Sequence, residues 1–422
     1  MLQNRTYVPT FTTPWRGSRD ASMEMSAFFS PDTSGVVLQR AVENGVSFID
    51  AYAPSVESWS GCTPWHEPCV GCSVAYTRQK EEHVFFRALL NAAARGVRVR
   101  LLTNKFDSVR ECKNAVTMLT YYSKIFEVRT YATTTFQHSK VMIIDNCVAI
   151  SSVNWSKSSF IENREAGVLM CSATEGADDI VGVSSYMRTV FDYDWALADI
   201  WTPPNELSAS DLALIRNSSY LEPFPLPKHN ISEPHFVPEL RRTLVPGNKV
   251  TVNVGPDAAS TALYHELAST QSTLDIYTYQ ITDEVFAKFI VELSKRLGRV
   301  RVILSRAIFM DEDRFDSIRI VDQMRNESQG RIEFLSSPHF YRYAHLKIWV
   351  RDGETVGLST GNFSPSDIPP IHPYPPFRDP AWRSINRDFN VVVSDVKFTK
   401  QFSELITGDG AHFKAYTKPS KF

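Results

Sequence analysis

The residues most capable of chemistry are two histidines, each followed two positions later by a lysine. The spacing HxKxxxxD occurs at residues 138–145 and again at residues 345–352. A neutral imidazole can act as a nucleophile, a protonated one can donate to a leaving group, and an ammonium can neutralise anionic oxygens. The residues that the two motifs fix are His138, Lys140 and Asp145, then His345, Lys347 and Asp352.

Both motifs lie in apolar, strand-like segments, so side chains two positions apart should point to the same face. We therefore expect each histidine to project together with its lysine. Asp145 and Asp352 are each seven residues from the histidine and should face the other way or begin the next turn. We expect these two members of the catalytic motif to act as structural anchors.

Each motif is followed by a hydroxyl–x–Asn segment and then by an Asn-Arg-acid triplet. Hydroxyl and amide groups can bind phosphate oxygens, and a carboxylate can orient a histidine through its second ring nitrogen. The predicted substrate-binding residues are Ser152, Asn154, Thr360 and Asn362. The predicted orienting carboxylates are Glu165 and Asp388. Exposed polar strand residues would not explain why the whole set occurs twice.

The elements around the motifs are also repeated. Strand, helix and strand are predicted at 46–52, 85–96 and 97–102, and again at 273–279, 286–298 and 300–304. Another strand, at 126–131 or 331–335, precedes each HxK segment. This alternation predicts an α/β fold with two similar lobes, each a mixed, mostly parallel sheet flanked by helices. The two histidines can act on opposite sides of one phosphate only if the lobes face each other about a pseudo-twofold axis.

Length and charge agree with two lobes in one chain. The 422 residues carry a formal charge of −2, which excludes a polycation. We expect residues 1–200 to form the first lobe, 201–246 a connector rich in Pro, Ser and Asn, and 247–422 the second lobe. No leader or membrane-spanning run is recognised, so we expect a cytoplasmic protein as given, or a secreted or luminal one if a targeting segment is missing.

Weaker patterns leave more alternatives open. The loop with Cys62, His66, Cys69 and Cys72 admits zinc but lacks a second half-site, so we expect a disulfide or free thiols and no metal or other cofactor. The pairing of all six cysteines stays open; the other three are Cys112, Cys147 and Cys171. Trp59 and Trp65 of that loop are expected near the substrate entrance.

Other aromatic and histidine residues carry less information. His339, Tyr341 and Tyr343 precede the second motif and would either stack on substrate or pack the strand edge. The remaining histidines, among them His229 and His235, show no ligand spacing, and the sequence assigns them no role.

The paired motifs resemble the duplicated HKD signature of the phospholipase D superfamily, over about residues 46–393. That superfamily includes phospholipases D, cardiolipin and phosphatidylserine synthases, and nucleases. This chain departs from the usual pattern in having Ser151-Ser152 and Ser359-Thr360 for Gly-Ser, and Asp388 for Glu. The resemblance implies two phospholipase D-like lobes, with His138 as nucleophile and His345 as general acid and base.

These observations predict a metal-independent phosphodiesterase that acts through a covalent phosphohistidine, with Lys140 and Lys347 neutralising the non-bridging oxygens. A phospholipid headgroup and single-stranded nucleic acid are competing substrates, and a phosphatidyltransferase is a further alternative. An inactive binding protein is disfavoured because both imidazoles are retained. We expect a monomer with both motifs in one chain, and peripheral membrane contact if the substrate is a lipid.

Overall fold

The structure is a computed structural model that describes residues 9–56, 84–105, 126–172, 182–201, 209, 229, 231–369 and 385–421. The predicted cysteine loop, with Trp59 and Trp65, lies outside the described residues. Cys112 lies outside them too. Within them, Cys147 and Cys171 form a disulfide.

The first half of the chain alternates strands and helices. In chain order its elements are β1 (Trp15–Arg16), β2 (Ser22–Ser30), α1 (Ser34–Asn44), β3 (Phe48–Tyr52), α2 (Val84–Ala94), β4 (Arg98–Thr103), β5 (Phe126–Thr130), β6 (Phe136–Gln137), β7 (Val141–Ile144), β8 (Cys147–Ser151), α3 (Lys157–Ile161), β9 (Glu165–Ser172), α4 (Val183–Leu197) and β10 (Asp199–Ile200).

The second half repeats this order. Its elements are β11 (Arg242–Pro246), a short 3-10 turn (Gly247–Lys249), β12 (Val250–Gly255), α5 (Ala259–Ala268), β13 (Thr273–Thr278), α6 (Glu284–Ser294), β14 (Arg299–Leu304), α7 (Asp311–Ser328), β15 (Ile332–Ser336), β16 (Lys347–Arg351), β17 (Thr355–Ser359), β18 (Asn386–Val393), α8 (Val396–Gly410) and β19 (Lys414–Ala415). The predicted repeat of strand, helix and strand is confirmed.

The strands form two sheets of matching order. The first runs β10-β5-β4-β3-β7-β8-β9-β2-β11, and the second runs β1-β12-β18-β17-β16-β13-β14-β15-β19, with β6 beside β18. Two mixed sheets flanked by helices confirm the predicted α/β class. The expectation of mostly parallel pairing was wrong: among the strands of the described residues, the main sheets pair in parallel only at β3-β4-β5 and β13-β14-β15. The Asp-Asn and Asp-Gly turns after β7 and β16 make hairpins, which pair antiparallel.

Each sheet includes one edge strand that comes from the other half of the chain. The strand β1, from the N-terminal half, pairs with β12 in the second sheet. Conversely, β11 precedes the second sheet's strands along the chain but pairs with β2 in the first sheet. The division at 200 and 247 stays a prediction about lobes, and these two strands cross it.

The central strands are buried on both faces, which explains their continuous apolar sequences. In β7, Met142 and Ile144 pack with side chains of α1 and α2. Val141 and Ile143 of the same strand join a core that also contains Ile348 from β16. The two sheets therefore share one hydrophobic layer, which fixes the motifs of the two halves against each other. Among the described residues, no helix is long and apolar enough to cross a bilayer.

Candidate active site

Each HxK segment is held by the acid-bearing strand of the other half. The His138 N–H donates to the Arg387 carbonyl at 3.0 Å, where β6 pairs with the start of β18. The His345 N–H donates to the Arg164 carbonyl at 2.8 Å, just before β9. The backbone thus places each histidine next to a triplet that follows the opposite motif in sequence.

The second histidine has a complete hydrogen-bond system. Its Nδ1 lies 3.0 and 3.1 Å from the two carboxylate oxygens of Glu165. Glu165 also accepts from Ser152 Oγ at 2.6 Å and from Asn163 Nδ2 at 3.0 Å. Burial alone would raise the pKa of Glu165, but the charges of His345 and Lys347 and these hydrogen bonds bring it below its usual value. An ionised carboxylate only accepts, so His345 carries its proton on Nδ1.

The remaining ring nitrogen of His345 is also engaged. Lys347 Nζ lies 2.9 Å from His345 Nε2 and 2.6 Å from the His345 carbonyl oxygen. This contact confirms the expectation that the histidine and lysine of this motif project together. In the first motif, Lys140 Nζ instead donates to the carbonyl oxygens of His138 and, at 3.3 Å, of Thr360.

The first histidine is oriented by a residue that the sequence did not single out. His138 Nδ1 lies 3.2 Å from Asp367 Oδ1 and 3.6 Å from Asp388 Oδ1. Asp367 is held in place by three donors: the backbone N–H of Asn362 at 2.7 Å, Ser364 Oγ at 2.8 Å and Asn386 Nδ2 at 2.6 Å. Asp388, the predicted partner, is therefore the more distant of two carboxyl groups.

Asp367 and Asp388 form a buried carboxyl pair beside His138, with one oxygen of each and a ring nitrogen of His138 within 4.8 Å of one another. Two neighbouring buried carboxylates repel each other, so one of them is the more readily protonated. Burial and the adjacent Asp367 charge raise the pKa of Asp388 well above its usual value, whereas the pKa of Asp367 is lowered by His138 and its donors despite its burial. Asp388 Oδ1 accepts from Thr360 Oγ1 at 2.7 Å, whereas its Oδ2 is buried without a hydrogen-bond partner among the described residues.

Burial lowers the pKa of all four basic groups of the two motifs, and lysine charges of one motif act on groups of the other. Burial and then the charge of Lys140 lower the pKa of His138 to about 4, and Lys347 contributes in the same direction. Burial lowers the pKa of Lys140 to about 8. Burial and then Lys140 lower the pKa of Lys347 well below its usual value. An anionic phosphodiester would relieve this repulsion, so these groups are suited to bind one.

The motif aspartates lie at the far end of their strands. Asp145 accepts from the amides of Val46, Ser47 and Phe48 at 2.7–3.0 Å. Asp352 accepts in the same way from the amides of residues 271–273 at 2.7–2.9 Å. Both have positive φ, in the turns that follow β7 and β16. The two aspartates are therefore structural and not catalytic residues. As expected of anchors, they hold the ends of β7 and β16 and do not contact the imidazoles.

The four predicted phosphate-binding residues divide into two kinds. The hydroxyls of Ser152 and Thr360 are fully buried and donate to Glu165 and Asp388. Asn154 and Asn362 are half-buried, and Asn362 Oδ1 makes no hydrogen bond among the described residues. That these residues bind phosphate stays a prediction.

A sequence signal for Asp367 did exist. Asp367 follows Asn362 by five residues, whereas the residue five positions after Asn154 is Ser159. A Pro-rich insertion at residues 364–380 follows the second motif, and it hides this difference because Asp367 lies near its start. A repeat comparison that allowed an acid without a counterpart would have found it.

The arginine of each triplet joins the two halves through a buried ion pair. Arg164 binds Asp409 of α8 through Nε at 2.9 Å and Nη2 at 2.5 Å, and Arg387 binds Asp194 of α4 at 3.0 and 2.9 Å. All four side chains are fully buried. The two ion pairs have equivalent places in the two halves, as a pseudo-twofold relation between the halves requires. Each arginine directly precedes an orienting carboxylate in the sequence.

The aromatic residues before the second motif are mainly internal. Tyr341 stacks on Arg164 at 4.4 Å and donates to Asp409 at 3.3 Å. Tyr343 contacts Tyr279, whose ring packs edge-on to His345 at 4.9 Å. His339 is exposed beside Glu233. These contacts match the packing alternative; a contact with substrate stays a prediction.

Comparisons with known proteins agree with this geometry. The family model described as "Cardiolipin synthase, PLD-like domain" matches residues 71–195 and 263–409. Phosphatidylserine synthase from Haemophilus influenzae Rd KW20 is similar in structure, with a TM-score of 0.59 at 11% identity over 92% of this chain and 87% of that one. Polyphosphate kinase from Porphyromonas gingivalis has a TM-score of 0.50 at 10% identity, over 91% of this chain and 46% of that one.

Nuc, a phospholipase D family member from Salmonella typhimurium, is 18% identical over 42% of this chain and 98% of its own, with a TM-score of 0.32. The search of curated proteins found no match. Each half of the chain has a mixed α/β sheet with one His-x-Lys segment, and the family match covers both halves. The chain belongs to the phospholipase D-like domain family.

Proposed function

We propose that this protein hydrolyses a phosphodiester without a catalytic metal, with His138 as nucleophile and His345 as general acid and base. The observation that carries the proposal is the different engagement of the two rings. The described residues leave His138 Nε2 without a hydrogen bond, whereas His345 Nε2 contacts the Lys347 ammonium. A free lone pair suits attack on phosphorus, and a ring beside a proton donor suits proton delivery.

In the first step, His138 Nε2 forms a bond to phosphorus and the bond to the leaving oxygen breaks. The proton held between His345 and Lys347 passes to that oxygen through His345 Nε2. In the second step, His345 accepts a proton from water, the water oxygen bonds to phosphorus, and the bond to His138 breaks. Asp367 and Glu165 keep each Nδ1–H oriented throughout. Lys140 stabilises the charge on the non-bridging oxygens in both steps, and Lys347 does so before it gives up its proton and after His345 regains one from water.

We propose hydrolysis rather than transfer because hydrolysis needs only water as the acceptor, whereas transfer needs a second alcohol. Phospholipids and single-stranded nucleic acids both fit this chemistry as substrates. A side-by-side assay with phosphatidylcholine, cardiolipin and labelled single-stranded DNA, in chelator, separates them. We expect turnover of one class and its loss in His138→Asn. Wild-type rates in that variant on every substrate would contradict the proposal.

A further inference from the structure

A second cluster of ligating side chains lies where the connector passes the turn after β2. Asp32, His229 and His235 each offer one ligand atom, and these atoms lie within 4.8 Å of one another. We propose that the cluster binds a divalent ion of the zinc type through Asp32 Oδ1, His229 Nδ1 and His235 Nε2. The proposal does not depend on the phosphodiesterase activity.

The hydrogen bonding of His235 calls for a cation. Its Nδ1 lies 3.1 Å from the Glu233 carbonyl oxygen, and its Nε2 lies 3.0 Å from Asp32 Oδ1. Both neighbours are acceptors, but a neutral imidazole has only one N–H to donate. The ring therefore needs either a second proton or a metal ion at Nε2. An Nδ1–H held by a carbonyl is the arrangement that orients metal-binding histidines.

His229 favours the metal over the extra proton. Its Nδ1 is buried and has no hydrogen-bond partner among the described residues. Its ring lies 4.9 Å from that of His235, at an interplanar angle of 87°. Protonating His235 would leave the His229 nitrogen unsatisfied, at a free-energy cost. One ion would engage both nitrogens.

Asp32 is fixed so that one oxygen faces the histidines. Its Oδ2 accepts from Arg164 Nη1 at 2.9 Å. In the other half, Asp257 has the corresponding place beside Arg387, at 3.3 Å, and its second oxygen accepts from the amides of Thr10 and Phe11 at 2.7 Å each. Imidazoles of the connector therefore face Asp32, whereas backbone amides face Asp257. Among the described residues, the histidine cluster has no counterpart beside Asp257.

Two imidazole nitrogens and one carboxylate oxygen suit zinc, with a fourth position for water. Calcium and magnesium prefer oxygen ligands throughout. The ion would join residues 229–235 of the connector to the turn between β2 and α1. Through Arg164 it would also be linked to β9, the strand that begins with Glu165.

The test uses the full chain, stripped of metal by chelator and titrated with Zn²⁺ and Co²⁺. We expect an ion bound with nitrogen and oxygen ligands and a higher thermal midpoint on loading. His229→Gln and Asp32→Asn should each weaken binding by more than the 10–100-fold that loss of an outer partner costs. His265→Gln, on the exposed surface of α5, is the matched control and should bind like the wild type.

Binding at the cysteine loop would be recognised by a thiolate-to-cobalt charge-transfer band that both variants retain. X-ray absorption of the zinc-loaded wild type gives the ligands without any substitution, and two imidazoles with no sulfur at one site are expected. Failure of the folded wild type to bind an ion, or binding only through sulfur, would overturn the proposal. So would unchanged affinity in both variants.

Discussion

At the residue scale, the two histidines are backed differently. His345 depends on one carboxylate, Glu165, that reaches Nδ1 with both oxygens. His138 has two acids nearby, Asp367 in contact and the shorter Asp388 slightly farther away. Asp388 has the same place in its triplet as Glu165 but is one methylene shorter. Asp367 provides the contact with His138 instead.

Glu165→Gln should therefore cost more than either substitution at His138's acids. We expect kcat to fall about 10⁴-fold in Glu165→Gln, as when the acid behind a catalytic histidine is neutralised. In Asp367→Asn, Asp388 loses the like charge that raises its pKa and can ionise as a replacement. The loss should be smaller in Asp367→Asn and in Asp388→Asn, and approach that of Glu165→Gln in the double variant.

Steady-state kcat on the best substrate measures this difference. Wild-type circular dichroism and thermal midpoints in the variants serve as the control for folding. A double variant no slower than either single one would show that the two acids do not replace each other.

The pH dependence follows from the lowered pKa of His138. Burial and Lys140 bring this pKa to about 4, so the nucleophile stays neutral well below the usual histidine value. As pH falls through about 4, protonation removes the lone pair and kcat/KM should fall. Lys140→Met removes a charge that lowers this pKa, so the acid limb of its residual activity should move to higher pH. An acid limb near pH 6.5 in the wild type would contradict the assignment.

At the element scale, the turn after β17 makes room for the carboxyl pair. Gly361 occupies the place that Val153 has in the first half, between the hydroxyl residue and the asparagine. A Cβ on Gly361 would lie 2.6 Å from Asp388 Cγ and 2.8 Å from Asp367 Cβ. A side chain here is therefore incompatible with both acids in their present positions.

Gly361→Ala should displace the carboxyl pair and lower both activity and stability. We expect a loss of about 1–3 kcal/mol in the free energy of unfolding, as for other overpacked buried sites, together with at least a tenfold lower kcat. Chemical denaturation and steady-state kinetics measure the two effects. Gly298→Ala is the matched control, because a Cβ there meets nothing closer than 3.5 Å. Equal behaviour of the two variants would argue against the steric account.

At the scale of the whole molecule, the halves are joined by shared core, exchanged edge strands and buried ion pairs. Asp194 and Asp409 each bind the fully buried arginine of a triplet in the other half. Removing Asp409 or Asp194 leaves a buried arginine with one counter-charge fewer, although Asp32 still contacts Arg164 and Asp257 still contacts Arg387. The position of each orienting carboxylate therefore depends on contacts between the halves.

Asp194→Asn and Asp409→Asn should each destabilise the protein by about 3–5 kcal/mol, with one cooperative unfolding transition because both halves lose their contact together. Chemical denaturation followed by fluorescence measures this. Arg241→Ala, at a surface ion pair with Glu404, should leave the midpoint nearly unchanged. Two separate transitions in the wild type would show that the halves fold independently.

Much of the site could be predicted because the chain repeats it. Two copies of HxK and of the Asn-Arg-acid triplet indicated His138, His345 and Glu165, and hydrophobic periodicity indicated the strands between them. Asp367 was missed because it has no counterpart in the first half. The edge strand β1 has only two residues and β11 buries one of its five, so neither carries a clear hydrophobic pattern, and their exchange depends on how the halves pack.

The central claim is that His138 alone becomes phosphorylated. His345→Gln with radiolabelled bis(p-nitrophenyl) phosphate tests it most directly, because this leaving group needs no acid but the second step still needs a base. We predict a burst of about one nitrophenolate per chain, then a near halt, with label on the peptide containing His138 and no burst in His138→Gln. Label on His345 in the wild type, or a burst in His138→Gln, would contradict the account.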